Sequence, residues 1–433
     1  MAAGRMTHLF TFLRHGESIG NQKRVIQGQQ DFPLSPVGIN QAQNLGQKWQ
    51  AQDLKFDAII SSSLIRARKT AEIIQSYLPS PLVVEDIWKE RAYGTLESSP
   101  LVDEKGEPAL PASLSIYEPL GETGESEWQL YLRAGNAVQS LFKYPPGNYL
   151  IVAHGGLLNK TLSLIAGTKP EADYHGHHFI HGNTGYTNIV YDSDRNEWQF
   201  RALVQPEFPF MMHGRNTGIL QYFLIRHAES EGNINQIFQG QMDTELTPTG
   251  EVQASSLSNF FSDNNHALKF NQIITSPLLR AKKTAEKLQS ALGIPLSEID
   301  LLKEVNNGDM VGLTGEEINQ KFPERLDRVN PYLPIGISGE SWFELFLRGG
   351  RIIDHLLTQP GGSYLVVSHG AILNSIIWAV LGLVPQPGKR PPVFRFKNTS
   401  FAELVYSPEE KSWQILSLAS PQDYSSGLNV EQR

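Results

Sequence analysis

The sequence predicts an α/β protein built from two copies of one domain, each a mostly parallel sheet with helices on both faces. Three observations carry this expectation. The chain repeats itself at an offset of 212 to 215 residues. Short apolar runs of strand length alternate with segments of helical periodicity, the pattern of a parallel sheet with crossover helices. A length of 433 residues suits two domains of about 200 each better than one core.

The repeat is read directly from the chain. FLRHGESIGN at residues 12–21 returns as LIRHAESEGN at residues 224–233, an offset of 212. Arg66 in SSSLIRARKTAE matches Arg280 in TSPLLRAKKTAE at 214, and Glu90 and Glu304 keep that offset. GES at residues 124–126 and 339–341, His154 and His369, and Asn183-Thr184 and Asn398-Thr399 close the series at 215. One long period is a tandem duplication, since a solenoid repeats every 20–50 residues or so. Expected boundaries are residues 1–204 and 219–433, with the Pro- and Gly-bearing stretch 205–218 as linker.

Within the first copy, residues 9–13 form an apolar run ending in Arg14-His15, the length of a buried strand. Ile39, Ala42, Leu45 and Trp49 recur at helical spacing. Residues 56–60 read as a strand, followed by a helix with Ala67, Ala71, Ile74 and Leu78 on one face. Ser126 reads as an N-cap ahead of a helix with Trp128, Leu132 and Val138 as its apolar positions. Residues 149–153 form a strand ending at His154, and a helix follows to about Ile165. Residues 187–191 and 198–203 flank a turn at 192–196 as closing strands. The second copy repeats the order, with strands at 222–225, 272–274 and 364–367.

Open α/β sheets bind ligands at the carboxyl ends of their strands. Arg14-His15 and His154 each follow such an end, and Arg66 lies just beyond a third, so each half should gather two His and two Arg at one edge. Two guanidinium forks suit a phosphate dianion. A neutral His can attack phosphorus if its other ring nitrogen is held in a hydrogen bond. A carboxylic acid facing it can protonate a leaving oxygen, and Glu90 and Glu304 are the carboxylates repeated at matching offset.

Composition narrows the classes. Hydrophobic residues make up 40% and charged residues 19%, a globular balance. With 45 acidic against 37 basic residues the net charge is -8, which argues against nucleic-acid or anionic-membrane partners. Cys is absent, so thiolate nucleophiles, disulfides and Cys-type metal sites are excluded. No apolar run approaches the ~20 residues of a membrane span, and the first seven residues lack the apolar run of a secretory signal, so a cytoplasmic location is expected. The HGHHFIH run (His175, His177, His178, His181) tempts a metal assignment. Its counterpart RPPVFRFKN lacks those histidines, and a surface loop or wall near the pocket mouth is the expectation.

FLRHGES and LIRHAES resemble the RHG signature of the histidine phosphatase (phosphoglycerate mutase-like) superfamily, and the resemblance covers nearly all of both halves. It implies two tandem phosphoglycerate mutase-like domains. It also implies that His15 and His227 are nucleophiles, with Arg14, Asn21, Arg66, Arg226, Asn233 and Arg280 as phosphate ligands. Glu90 and Glu304 become the acid/base residues, and His154 and His369 the second histidines of each phosphate pocket. The family's reaction needs no metal or cofactor, and the implied partner is a small phosphorylated substrate. Ser63 stands where the family usually has Pro, Ser98 where Gly is common, Ala228 for the Gly of RHG, and Val311 for a common Glu. The family's mutases carry a long insert between the acid Glu and GES. Here 35 residues separate Glu90 from Glu125 and 36 separate Glu304 from Glu340, so hydrolysis is expected over mutase chemistry. A phospho-ligand binding or scaffolding protein with one or both sites inactive, or a phosphoglycerate mutase, is the alternative to a hydrolase of small phosphorylated metabolites such as sugar phosphates or phosphoglycerate.

Overall fold

The computed structural model describes residues 7–102, 115–171, 177–208, 218–322, 330–389 and 391–424. The chain divides into two compact units between Pro206 and Glu207. Residues 209–217 of the expected linker, and His175, lie outside the described residues.

In the N-terminal unit the strands lie in the order Glu197–Val204, Tyr186–Asp192, Thr7–Arg14, Asn148–Ala153, Ala58–Ser61 and Leu82–Val84. Thr7–Arg14, Asn148–Ala153, Ala58–Ser61 and Leu82–Val84 run parallel. The two closing strands add antiparallel on the other side of Thr7–Arg14. Parallel neighbours need crossovers, and the helices supply them. Helices Pro36–Ala51 and Ile65–Tyr77 cover one face, where Trp49, Ala67, Ala71 and Ile74 pack on Leu13, Ile59, Leu150 and Val152. Burying a side chain such as Ile74 contributes about 1.5–3 kcal/mol. The alternate residues Phe10 and Phe12 point to the opposite face, against Phe142 and Trp88. There helices Glu127–Leu141 and Gly155–Ala166 pack together.

The C-terminal unit repeats this plan. Its strands follow the order Ser412–Ala419, Phe401–Ser407, Leu220–Arg226, Gly362–Ser368, Phe270–Thr275 and Leu296–Glu298. Helices Pro248–Leu268 and Leu279–Leu292 cover one face, around Phe261, Ala281, Ala285 and Leu288. Both long first helices start alike. Ser35 and Thr247 accept from the amides of Gly38 and Gly250, and Pro sits in the first turn.

Two expectations need correcting. Ser126 caps its helix as expected, accepting from the Gln129 amide. However, Leu132 is 65% exposed, and the buried stripe is Leu130, Ala134, Ala137, Val138 and Leu141. The helix axis is turned because Arg133, next to Leu132, is drawn inward by the partners described below. The histidine run is the expected loop or pocket wall only in part, since His178 is exposed and the His181 carbonyl lies against Arg14, but the His177 and His181 rings turn inward. His177 and His181 are buried, and His177–Phe179 is a short strand. His177 Nε2 pairs with Thr168 Oγ1 at 3.0 Å and His181 Nε2 with Thr187 Oγ1 at 2.7 Å. Burial holds both rings down to about 3, so they remain neutral.

Candidate active site

Arg14 ends a parallel strand, and the next amide, of His15, bonds to the Ala153 carbonyl of the neighbouring strand. His154 follows that neighbour directly and is the N-cap of helix Gly155–Ala166. Parallel pairing therefore brings two residues 139 positions apart in sequence to one edge, with His15 and His154 ring centroids 5.1 Å apart. The same pairing sets His227 and His369 5.1 Å apart.

Each of His15 and His227 has its protons assigned by its neighbours. His15 Nδ1 lies 2.6 Å from the Gly16 carbonyl, which can only accept, so Nδ1 carries the hydrogen. Nε2 then presents a lone pair, and Arg66 Nε donates to it at 3.2 Å. His227 repeats the arrangement, with the Ala228 carbonyl at 2.7 Å and Arg280 Nε at 3.3 Å. Burial first, then the adjacent guanidinium groups, hold both imidazoles well below the ordinary histidine range, and they are neutral.

Arg66 is itself 1% exposed and braced by the backbone. Its terminal nitrogens donate to the carbonyls of Gln30 at 2.7 Å and Gly28 at 2.8 Å. Arg280 uses those of Met242 and Gly240. Burial lowers both guanidinium groups to about 10, which leaves them charged at neutral pH. Arg14 donates to the His181 carbonyl and Arg226 to that of Phe396. The buried Nε of Arg14 and Nδ1 of His154 have no hydrogen-bond partner, nor do their counterparts in Arg226 and His369. Buried polar atoms are normally paired, so orphans at matched positions in both halves mark a place built for a polar ligand.

Glu90 is held at a helix start. Its Oε1 accepts from the amides of Arg91 and Leu157, at 2.7 and 3.0 Å, and Oε2 accepts from Gly156 at 3.0 Å. Glu304 takes the same bonds from Val305, Ile372 and Ala371. The amides of Gly156 and Leu157, like those of Ala371 and Ile372, belong to the unpaired first turn of a helix, which favours a carboxyl there. Oε2, with one donor, keeps a free position in both halves.

Asn21 and Asn233 close capping boxes in which their Oδ1 accepts from Ser18 and Ser230. Asn183 Nδ2 spans from the His15 carbonyl at 3.1 Å to Asn21 Oδ1 at 3.2 Å, and Asn398 does the same for His227 and Asn233. Thr184 and Thr399, next in sequence, have φ of 61° and 59°. A β-branched residue there is strained, and such strain collects at functional sites.

The structure thus brings together all six expected residues of each half. It also adds residues the motif reading passed over. Ser62 and Ser276 pair with His154 and His369 Nε2 at 2.8 Å. Arg133 forms a two-pronged pair with Glu125 and donates to the carbonyls of Ile87, Lys89 and Glu90, fixing the segment that carries the Glu90 carboxyl. Arg348 does so with Glu340, Leu301, Lys303 and Glu304. The offsets of 214 and 215 were the signal that could have found them.

The departures from the family pattern have local consequences. Ser98 adopts φ 73° where its counterpart Gly312 has φ 82°, which is why Gly is common there. Glu97 accepts from the Gln29 and Tyr93 amides, a brace that Val311 cannot supply. Ala228 fits by packing its methyl against Leu246 and Ala254. Among the described residues no group of three or more His, Asp or Glu comes together as a metal site. No helix among them is long and apolar enough to cross a membrane.

Residues 10–204 and 222–420 each match the model of the histidine phosphatase superfamily, branch 1, and the chain belongs to that superfamily as a tandem pair. The "uncharacterized phosphatase PhoE" of Bacillus subtilis is 38% identical over 159 residues, 37% of this chain and 78% of that protein. The "probable phosphoglycerate mutase GpmB" of Yersinia enterocolitica is 32% identical over 201 residues, 45% of this chain and 88% of that protein. A solved mycobacterial glucosyl-3-phosphoglycerate phosphatase with VO3 is 26% identical, covers 46% of this chain and 98% of its own, and has a TM-score of 0.41. Family and relatives together make this an enzyme of the phosphatase or mutase type acting on phosphorylated metabolites.

Proposed function

We propose that each half hydrolyses small phosphomonoesters through a phosphohistidine, without a metal. The observation that carries this is the Nε2 lone pair of His15 and His227, fixed by Nδ1–H on the adjoining carbonyl and matched in both halves. Nε2 attacks phosphorus as the ester P–O bond breaks, and Glu90 or Glu304 in its acid form gives the alkoxide a proton from Oε2. The resulting carboxylate then takes a proton from water, which attacks phosphorus; the P–N bond breaks and Nε2 regains its lone pair. Arg14, Arg66 and His154 surround the phosphoryl oxygens and supply the charge stabilisation a metal gives elsewhere. Asn21 and Asn233 contribute a further hydrogen bond. The short stretch between the acid and the GES motif favours hydrolysis over transfer to a second hydroxyl.

The test is p-nitrophenyl phosphate hydrolysis in excess EDTA by wild type, His15→Ala, His227→Ala and the double substitution. Partial rates for the single variants and none for the double are expected. Wild-type inactivity with retained vanadate binding would make the chain a phospho-ligand binder instead.

A further inference from the structure

The floors of the two sites match residue for residue, whereas the residues above them do not. In the C-terminal half a pocket of about 870 Å3 is lined by Arg226, His227, Asn233, Arg280 and Glu304 below. Its upper wall includes Leu333, Ile335, Ile337, Phe238 and Trp342. Leu333 is 61% and Ile337 60% exposed, an apolar rim standing in water around a charged floor. That volume lies within the range of pockets that hold a whole small molecule rather than a phosphate alone.

In the N-terminal half the loop equivalent to 333–337 is Glu118, Pro119, Leu120, Gly121 and Glu122. The two loops share their glycine turn, although Glu122 is left-handed at φ 63° where Ile337 is not and Ile337 instead donates its amide to Asp309. Gly121 and Gly336 have φ of 50° and 66°. Gly124 lies against the carbonyls of Leu120 and Ala92, as Gly339 does against those of Ile335 and Asn306. The positions of the exposed apolar pair are therefore taken in the other half by an exposed glutamate pair, about the same glycine turn. Deeper in, Trp342 and Val305 are replaced by Glu127 and Arg91, which pair with each other and, through Glu127, with Lys160. Arg395 lines the C-terminal pocket and has no hydrogen bond or ion pair among the described residues, where the N-terminal half has half-buried Ile180.

We infer that the two sites act on different phosphomonoesters: the C-terminal site on esters of apolar alcohols, the N-terminal site on esters of polar, cation-bearing ones. An apolar group gains by covering Leu333, Ile337 and Trp342, while Arg395 repels an ammonium. Glu118 and Glu122 attract that ammonium and offer an apolar group nothing to cover. The inference rests on the proposed reaction only in calling the ligands substrates.

The full chain would be titrated calorimetrically with two phosphonates that cannot be hydrolysed, benzylphosphonate and 2-aminoethylphosphonate. Wild type should bind benzylphosphonate at one site at least roughly tenfold more tightly than at the other. Leu333→Glu with Ile337→Glu should remove that preference without weakening 2-aminoethylphosphonate. Glu118→Leu with Glu122→Gln should tighten benzylphosphonate at the weaker site and weaken the amine. All four positions are exposed, and Gln at the left-handed residue 122 adds no strain that Glu lacks, so folding is not at stake. Isotherms unchanged in both double variants, or no benzylphosphonate binding, overturn the inference. Retained ligand ranking without hydrolysis of phenyl phosphate or phosphoethanolamine overturns the hydrolase reading and leaves the selectivity standing.

Discussion

Arg66 Nε points its hydrogen at His15 Nε2 from 3.2 Å while the same guanidinium grips two backbone carbonyls. A group so tied cannot follow the imidazole if it rotates, so the histidine is aimed by the arginine rather than the reverse. Lysine offers one charge and no fork. Arg66→Lys in a His227→Ala background should lower kcat/KM for p-nitrophenyl phosphate by about 10- to 100-fold, the loss of a charged hydrogen bond or two. An unchanged value would mean Arg66 does not contact phosphate.

Glutamine keeps one carbonyl oxygen for the amides at the helix start but carries no transferable proton. Glu90→Gln in the His227→Ala background should lose about 100- to 10,000-fold in kcat, with little change in melting temperature. Steady-state kinetics on an ester with a poor leaving group checks this, since a good leaving group needs less help.

Arg133 and Arg348 spend their donors on Glu125 and Glu340 and on backbone carbonyls, fixing the segments that carry Glu90 and Glu304. Arg348→Ala should destabilise the C-terminal unit by about 3–5 kcal/mol, because Glu340 is left largely buried and unpaired. Arg348→Lys should restore part of that stability yet leave kcat low with KM nearly unchanged. Recovery of kcat together with stability would assign Arg348 a packing role alone.

Burial, chiefly, holds His177 near 3 in the folded chain, against about 6.5 for an unfolded histidine. The unfolded state therefore binds the extra proton between those values, and stability is full above about pH 6.5 and falls as pH drops towards 3. His15, His154, His227 and His369 are displaced in the same direction. His177→Gln, away from the reacting atoms, should make the loss of stability between pH 6.5 and 5 shallower by about one proton, or roughly 1.4 kcal/mol per pH unit. Denaturant titrations at several pH values measure that slope.

Ser98 occupies a left-handed backbone conformation that costs a residue with Cβ about 1 kcal/mol or more. Ser98→Gly should raise stability by about that amount in thermal or denaturant unfolding, with kcat unchanged.

The strand ends and helix faces were legible because burial imposes a period that one sequence shows. The duplication made the site legible too, since Arg14, His15, Arg66, Glu90 and His154 each had a twin at matching offset. What a period cannot show is which backbone groups a side chain meets. Nothing near Glu90 in sequence announces that the amides of Gly156 and Leu157 hold it, and the Arg133 bonds to carbonyls left no motif. Leu132 fits a helical stripe on paper, yet it faces water because neighbouring Arg133 has partners inside. His177 and His181 read as a polar run because polarity, not their pairing with Thr168 and Thr187, is what composition reports.

Because both sets of reacting groups lie on a single polypeptide, translation delivers them in equal copy number under any level of expression. Two separate chains would need matched synthesis and turnover to hold that ratio. A change that alters one set also leaves the other encoded beside it, so the two sites are tied in supply but separable by a single codon.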